Sequence, residues 1–353
     1  MRVAVAGTGA FGRNHLRVYR ELESAGFGVA LVAAVEPDDA RAADIAAKYA
    51  IPTFSTVDDL LAADLKVNAA TVAVPTVHHH AVASTLLQAG LDLLVEKPLA
   101  ATLVEADELV ALAAKHERIL QPGHLERFNP AVLAVQPQLR RPMFFESHRL
   151  SIFTPRSLDV DVVLDLMIHD LDIVLTFAAS PVREVRAVGL PILSPKVDIA
   201  NVRVEFESGC VANFTASRVS TERVRKLRFF EPRQYVSIDY ARQDLLVIRL
   251  DATVPAEIAA AVAAGKADPA LLAKLTSGDH PSPGLSFVKT AVTQGEPLRL
   301  EIESFLHAVR TRQQPRVTAR QGRDALALAL EIQASMVAHA HRAGLDDFFT
   351  HSA

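Results

Sequence analysis

An aspartate stands four residues ahead of a histidine in Asp161-Val-Val-Leu-Asp165-Leu-Met-Ile-His169-Asp170, within an otherwise apolar stretch that runs on to Thr176. On a helix this spacing puts Asp165 and His169 on one face, where the carboxylate orients the imidazole and raises its basicity. With an ordinary pKa of about 6.5, such an imidazole is suited to taking the proton of a hydroxyl group. A second reactive residue lies in Glu96-Lys97-Pro98. Proline disfavours helix at the residue before it, so Lys97 is extended or in a turn at a strand end. A partly desolvated ammonium there can donate a hydrogen bond to an alcohol, shift a neighbour's pKa or carry a proton. A third feature is Gly7-Thr8-Gly9-Ala10-Phe11-Gly12, a G-x-G-x-x-G turn that lets a pyrophosphate approach the backbone. On periodicity alone, Asp165 as a local cap and His169 as a core residue would be the simpler reading. Lys97 and the glycine turn weigh against it.

The elements that must position these residues follow from the pattern of the first 120 residues, which alternates strands at 3–6, 29–35, 69–74 and 92–96 with helices at 12–25, 39–49, 79–89 and 104–116. Such alternation predicts a parallel, doubly wound sheet with ligands at the carboxyl ends of its strands. The glycine turn follows the first strand, so phosphate would rest on the free N–H groups of Ala10, Phe11 and Gly12. The second strand ends in Glu36, 24 residues after Gly12. A carboxylate there accepts ribose hydroxyls and repels a 2′-phosphate, which favours NAD over NADP. The loop Val74-Pro75-Thr76-Val77-His78-His79-His80 follows the third strand. Adjacent histidines at a helix start point in different directions, so no metal is expected and the loop is expected to line the cofactor. The expected cofactor contacts in these elements are Gly7, Gly9, Ala10, Phe11, Gly12, Glu36, Glu96 and Lys97.

After Gln121 the pattern becomes β-rich runs at short spacing, which predicts a mainly antiparallel sheet. The fold class is therefore α/β: an N-terminal Rossmann domain, residues 1–122, and a C-terminal α+β domain, residues 123–353, on an open and mainly antiparallel sheet. Residues 252–275 read as an alanine-rich helical excursion, 277–283 as a loop and about 322–343 as a long closing helix. A sheet covered by helices on one face leaves the other to be covered, which predicts a homo-oligomer, a dimer or tetramer.

Composition narrows the classes further. The 353 residues are 50% hydrophobic and carry a net charge of only −4 with both signs interspersed, so no basic stripe points to nucleic acid. Cys210 is the single cysteine and makes no internal disulfide. No apolar run reaches about 18 residues, and a strand from residue 2 leaves no room for a leader, so a soluble, cytoplasmic protein that avoids membranes is expected.

Taken together, Glu96-Lys97-Pro98, the Pro75–His79 loop and Asp165-x-x-x-His169 resemble the motifs of the Gfo/Idh/MocA oxidoreductases, and the resemblance covers nearly the whole chain. It implies that Lys97, Asp165 and His169 are the catalytic set, flanking the carbon that exchanges hydride with NAD, and that Pro75 and His79 line the cofactor cleft. A narrower set, Gly123-His-Leu-Glu126-Arg127-Phe-Asn129-Pro-Ala-Val132, Arg149, Arg156 ahead of Asp159, and Asp165 to Asp170, is similar to the branch that acts on UDP-N-acetylated sugars. That similarity implies NAD-dependent oxidation of the C3 hydroxyl of UDP-N-acetylglucosamine, or of its glucuronic acid form, to a ketone. The substrate contacts it implies are Lys97, Glu126, Arg127, Asn129, Arg149, Arg156, Asp159 and His169, with arginines suited to fork onto a diphosphate. Three alternatives stay open: an inositol or free-sugar dehydrogenase of the same family, a glycosidase with tightly held NAD, and a nucleotide-sensing regulator without catalysis. Intact Lys97 and His169 weigh against the last.

Overall fold

The computed structural model describes residues 1–154, 160–250, 260, 264, 285–290 and 292–345. The chain forms two compact units, residues 1–128 with 295–330, and residues 129–294 with 331–353.

The first unit is built on a six-stranded parallel sheet of β1 (Arg2–Ala6), β2 (Ala30–Val35), β3 (Thr53–Phe54), β4 (Ala69–Val72), β5 (Asp92–Glu96) and β6 (Leu120–Gly123), in the order β3-β2-β1-β4-β5-β6. Every residue of β4 and β5 is buried, as parallel strands covered on both faces require. The crossovers carry α1 (Ala10–Ser24), α2 (Asp39–Tyr49), α3 (Val57–Ala62), α4 (His79–Gln88) and α5 (Leu103–Lys115). Side chains fix their starts: Asp38 accepts from the Arg41 N–H at 2.8 Å, and Thr102 with Glu105 forms a reciprocal capping box on α5.

The second unit opens with α6 (Pro130–Val135) and holds an eight-stranded sheet of β7 (Phe144–Leu150), β8 (Val182–Leu190), β9 (Ile199–Phe206), β10 (Val211–Ser217), β11 (Val224–Glu231), β12 (Gln234–Asp239), β13 (Asp244–Leu250) and β14 (Leu285–Thr290). The order is β14-β13-β12-β11-β7-β10-β9-β8, antiparallel throughout except for the parallel pair β7–β10. Buried and half-buried residues alternate along β7, so Phe145, Ser147 and Arg149 share the covered face. A five-residue π turn, Val163–Met167, leads into α7 (Ile168–Ala178).

Two helices at the end of the chain differ from the sequence expectation. The segment α8 (Pro297–Thr311), expected in the second domain, belongs to the first unit. Its Leu298, Ile302, Phe305, Leu306 and Val309 recur at helical spacing and complete a core with Val3, Val5, Leu16, Tyr19 and Leu22. The closing helix α9 (Ala319–Arg342) begins in the first unit and ends in the second. The excursion expected at 252–275 lies outside the described residues except at 260 and 264, and the loop at 277–283 lies wholly outside them. Among the described residues no helix is long and apolar enough to cross a membrane, and no three His, Cys, Asp or Glu side chains cluster as a metal site would need.

Candidate active site

The carboxyl ends of the first unit's strands gather most of the expected cofactor residues. Between β1 and α1, Gly7 holds φ +87°, and a Cβ there would lie 2.6 Å from the Ala73 backbone. A Cβ on Gly12 would lie 1.9 Å from the Gly7 carbonyl oxygen, so the turn closes only with glycine at both places. Gly9 is different, since a Cβ there would meet nothing within 4 Å among the described residues. It opens α1 without a side-chain cap, the first helical bond runs from the Arg13 N–H to the Gly9 carbonyl, and the first turn carries no acid. The N–H groups of Ala10, Phe11 and Gly12 therefore lack intrahelical partners beside open space, an arrangement that fits a dinucleotide's pyrophosphate.

Glu36, just past β2, is buried and already holds four donors. Its Oε2 accepts from the Thr8 N–H at 3.1 Å and the Thr8 hydroxyl at 2.7 Å, and its Oε1 from the Asp38 N–H at 3.1 Å and Arg41 at 3.0 Å. Burial by itself would raise its pKa, but these bonds outweigh it and the net direction is downward, which keeps the carboxylate charged. A ligand hydroxyl must then take the place of one of these donors, and half-exposed Arg41 is the easiest to displace.

His79 does not present its ring to a cleft. It is buried, with Nδ1 2.8 Å from the Pro98 carbonyl oxygen and Nε2 2.9 Å from that of Val74. Burial lowers its pKa against the pull of the two carbonyls, and a neutral ring donates to only one of them. Its role is to tie the loop after β4 to the turn after β5, while Pro75 stands exposed. Glu96, the last residue of β5, is buried with its Oε1 2.7 Å from His15 Nε2. Sequence reasoning missed His15, three residues beyond Gly12 on the inward face of α1. Lys97 follows, half-buried.

Farther along this unit, Glu126 and Arg127 are buried, and Arg127 Nη2 lies 3.4 Å from the Arg316 carbonyl oxygen that accepts from it. Burial first, and the like charge of Arg127 second, push the Arg316 guanidinium below its usual range.

In the second unit the helix carrying Asp165 and His169 is shaped by Asp161, whose Oδ1 accepts from the Val163 N–H at 2.8 Å and the Leu164 N–H at 3.0 Å. Gln333 donates to its other oxygen. Asp165 sits half-buried in the π turn, a widened turn that recurs at functional sites, and His169 is buried in the first turn of α7. Arg149 departs from expectation. Its fork, expected to meet a diphosphate, is turned onto Asp170, with Nε 2.7 Å from Oδ2 and Nη2 3.0 Å from Oδ1, and the two side chains are 3% and 1% exposed. The Tyr240 ring covers its guanidinium at 5.1 Å. Asn129 is likewise turned inward, accepting from the Ala131 N–H at 3.1 Å as the cap of α6 and donating to the Tyr240 carbonyl at 3.0 Å. Burial without water makes such satisfied pairs the stable outcome for both residues. Arg156 and Asp159 lie outside the described residues.

The first unit thus holds a helix start that fits a phosphate, a carboxylate at the next strand and a lysine at the fifth β-α junction, and the second holds a buried histidine one turn from an aspartate, a set that suits an oxidoreductase. Comparison with known proteins agrees. Residues 1–124 match the model of an oxidoreductase family with an NAD-binding Rossmann fold, and residues 131–233 match the GFO/IDH/MocA C-terminal domain. Over 344 residues, 97% of this chain and 99% of the relative, the sequence is 33% identical to UDP-N-acetylglucosamine 3-dehydrogenase of Acidithiobacillus ferrooxidans. A solved structure of that enzyme superimposes with a TM-score of 0.81 at 32% identity, covering 96% of this chain and 98% of the other. Inositol 2-dehydrogenase 1 of Saccharopolyspora erythraea is 30% identical over 194 residues, 52% of this chain and 56% of that enzyme.

Proposed function

The chain belongs to the Gfo/Idh/MocA oxidoreductases, a family of dehydrogenases, and on that premise we propose that it oxidises the C3 hydroxyl of UDP-N-acetylglucosamine to a ketone with NAD. The observation that carries this reading is the match, over nearly the full length of both chains, to an enzyme named for that reaction. In this reading the first unit binds the cofactor, whose nicotinamide supplies the hydride acceptor when bound, and the second holds substrate and assembles the oligomer. The glycine turn seats the pyrophosphate on the N–H groups of Ala10, Phe11 and Gly12, and Glu36 takes the adenosine ribose in exchange for Arg41. His169 takes the proton from the hydroxyl, and Asp165 favours the imidazolium that results. Lys97 stabilises negative charge as it develops on the oxygen.

Two measurements test this. Incubation with NAD and a panel of UDP-sugars should give a 3-keto product by mass spectrometry from UDP-N-acetylglucosamine, and adding a 3-aminotransferase to draw off the ketone should increase NADH formation. Turnover of free inositol or glucose with none of the UDP-sugar would overturn the substrate. In calorimetric titration NAD should bind at least roughly tenfold more tightly than NADP, since a 2′-phosphate would be desolvated beside the buried charge of Glu36. Equal affinities would remove Glu36 from that role.

A further inference from the structure

We infer that His15 is a positioning residue for Lys97, acting through Glu96; the inference rests on the role given to Lys97 above. Glu96 ends β5, and consecutive residues of a strand point to opposite faces. A side chain locked on one face at that place therefore sets the direction of the next residue from behind. On the Glu96 side two contacts hold the carboxylate. His15 is fully buried and 2.7 Å from its carboxylate, and a Cβ on Gly123, its register partner in β6, would stand 3.0 Å from Glu96 Cα, Cδ and Oε1. Glycine at 123 thus leaves the room that the carboxylate occupies, and a side chain there would push it aside.

The chemistry of the pair is one-sided. Among the described residues the buried Nδ1 of His15 has no hydrogen-bond partner, so the proton belongs on Nε2, where it is donated to Glu96; a proton on Nδ1 would be stranded. Phe11, inside the glycine turn, packs edge-on against the same ring with centroids 5.5 Å apart at 64°. The turn that carries phosphate and the strand end that carries Lys97 are thereby joined through one imidazole. On the far side of Lys97, His79 holds the Pro98 carbonyl. A lysine between two residues each fixed by a buried histidine loses the freedom its long stem otherwise has.

The test compares His15→Leu, which removes the donor, with His15→Gln, whose amide reaches the place of Nε2. His15→Leu should lower kcat about tenfold to a hundredfold, as a displacement near 1 Å does, with KM for the UDP-sugar within about threefold. His15→Gln should recover most of kcat. A reading independent of substrate is the rate of reductive methylation of Lys97 in the protein without sugar, followed by peptide mass spectrometry with exposed Lys66 as internal reference. That rate should change in His15→Leu and return in His15→Gln. If it is the same in all three proteins while the wild type turns over sugar, His15 does not position Lys97. If no UDP-sugar is oxidised and the labelling still follows residue 15, the substrate assignment fails and the clamp stands. Should His15→Leu not fold, Glu96→Gln, of the same shape, carries both readouts, and unchanged labelling there overturns the inference.

Discussion

Replacing His169 by alanine is expected to lower kcat by about 10² to 10⁴, the usual worth of a positioned acid or base. NAD affinity should stay near that of the wild type, because the glycine turn and Glu36 belong to the other unit. Asp165→Asn should have a smaller effect, since it keeps the size and removes only the charge that favours an imidazolium. Lys97→Ala should be severe, and combining it with His169→Ala should be less than multiplicative if both act on one proton path. The decisive measurement is kcat at saturating sugar, with a kinetic isotope effect on the C3 hydrogen to establish that hydride transfer limits the rate. A His169→Ala enzyme within about threefold of wild type under those conditions would end the assignment.

The largest stability effect should come from Arg149→Met. Its partner Asp170 would be left buried and charged without a counter-ion, and breaking a pair of this kind costs about 3–5 kcal/mol. For a unit of this size that amounts to a fall in melting temperature on the order of 10 °C, read by differential scanning calorimetry. Removing both charges, as Arg149→Met with Asp170→Leu, should recover much of the loss, because apolar residues of similar volume often replace a buried ion pair without penalty. If the single and double variants melt together, the pair does not carry the stability assigned to it. Because Asp170 adjoins His169, the single variant should also lose activity at temperatures well below its melting point.

How far the sequence reached depended on whether the physical cause was local. The glycine turn, the strand before it and Glu36 at the end of the next strand were legible, because each depends on backbone freedom or on burial over a few residues. So was the buried parallel sheet, whose strands read as continuous apolar runs. Arg149 was not legible: nothing near it tells whether its fork meets a ligand or a buried carboxylate, and Asp170 comes 21 residues later on another element. His15 escaped for the same reason, as its partner Glu96 lies 81 residues away. The π turn at Val163–Met167 has no compositional mark of its own, and nothing in the run of neighbouring aspartates singles out Asp161 as its cap. The apolar stripe of α8 was visible as a stripe, yet periodicity gives a face and not the core that receives it.

The route of α8 bears on how the protein is made. Leu298, Ile302, Phe305, Leu306 and Val309 reach the first core only after the whole of residues 129–294 has been synthesised. A nascent chain that has extruded its first 128 residues therefore carries an uncovered apolar face until residues 297–311 have emerged, and such a face is what chaperones bind. The same route means that the gene cannot be cut once to release the nucleotide-binding half: an exchange of that half between relatives must carry two separate stretches of sequence together.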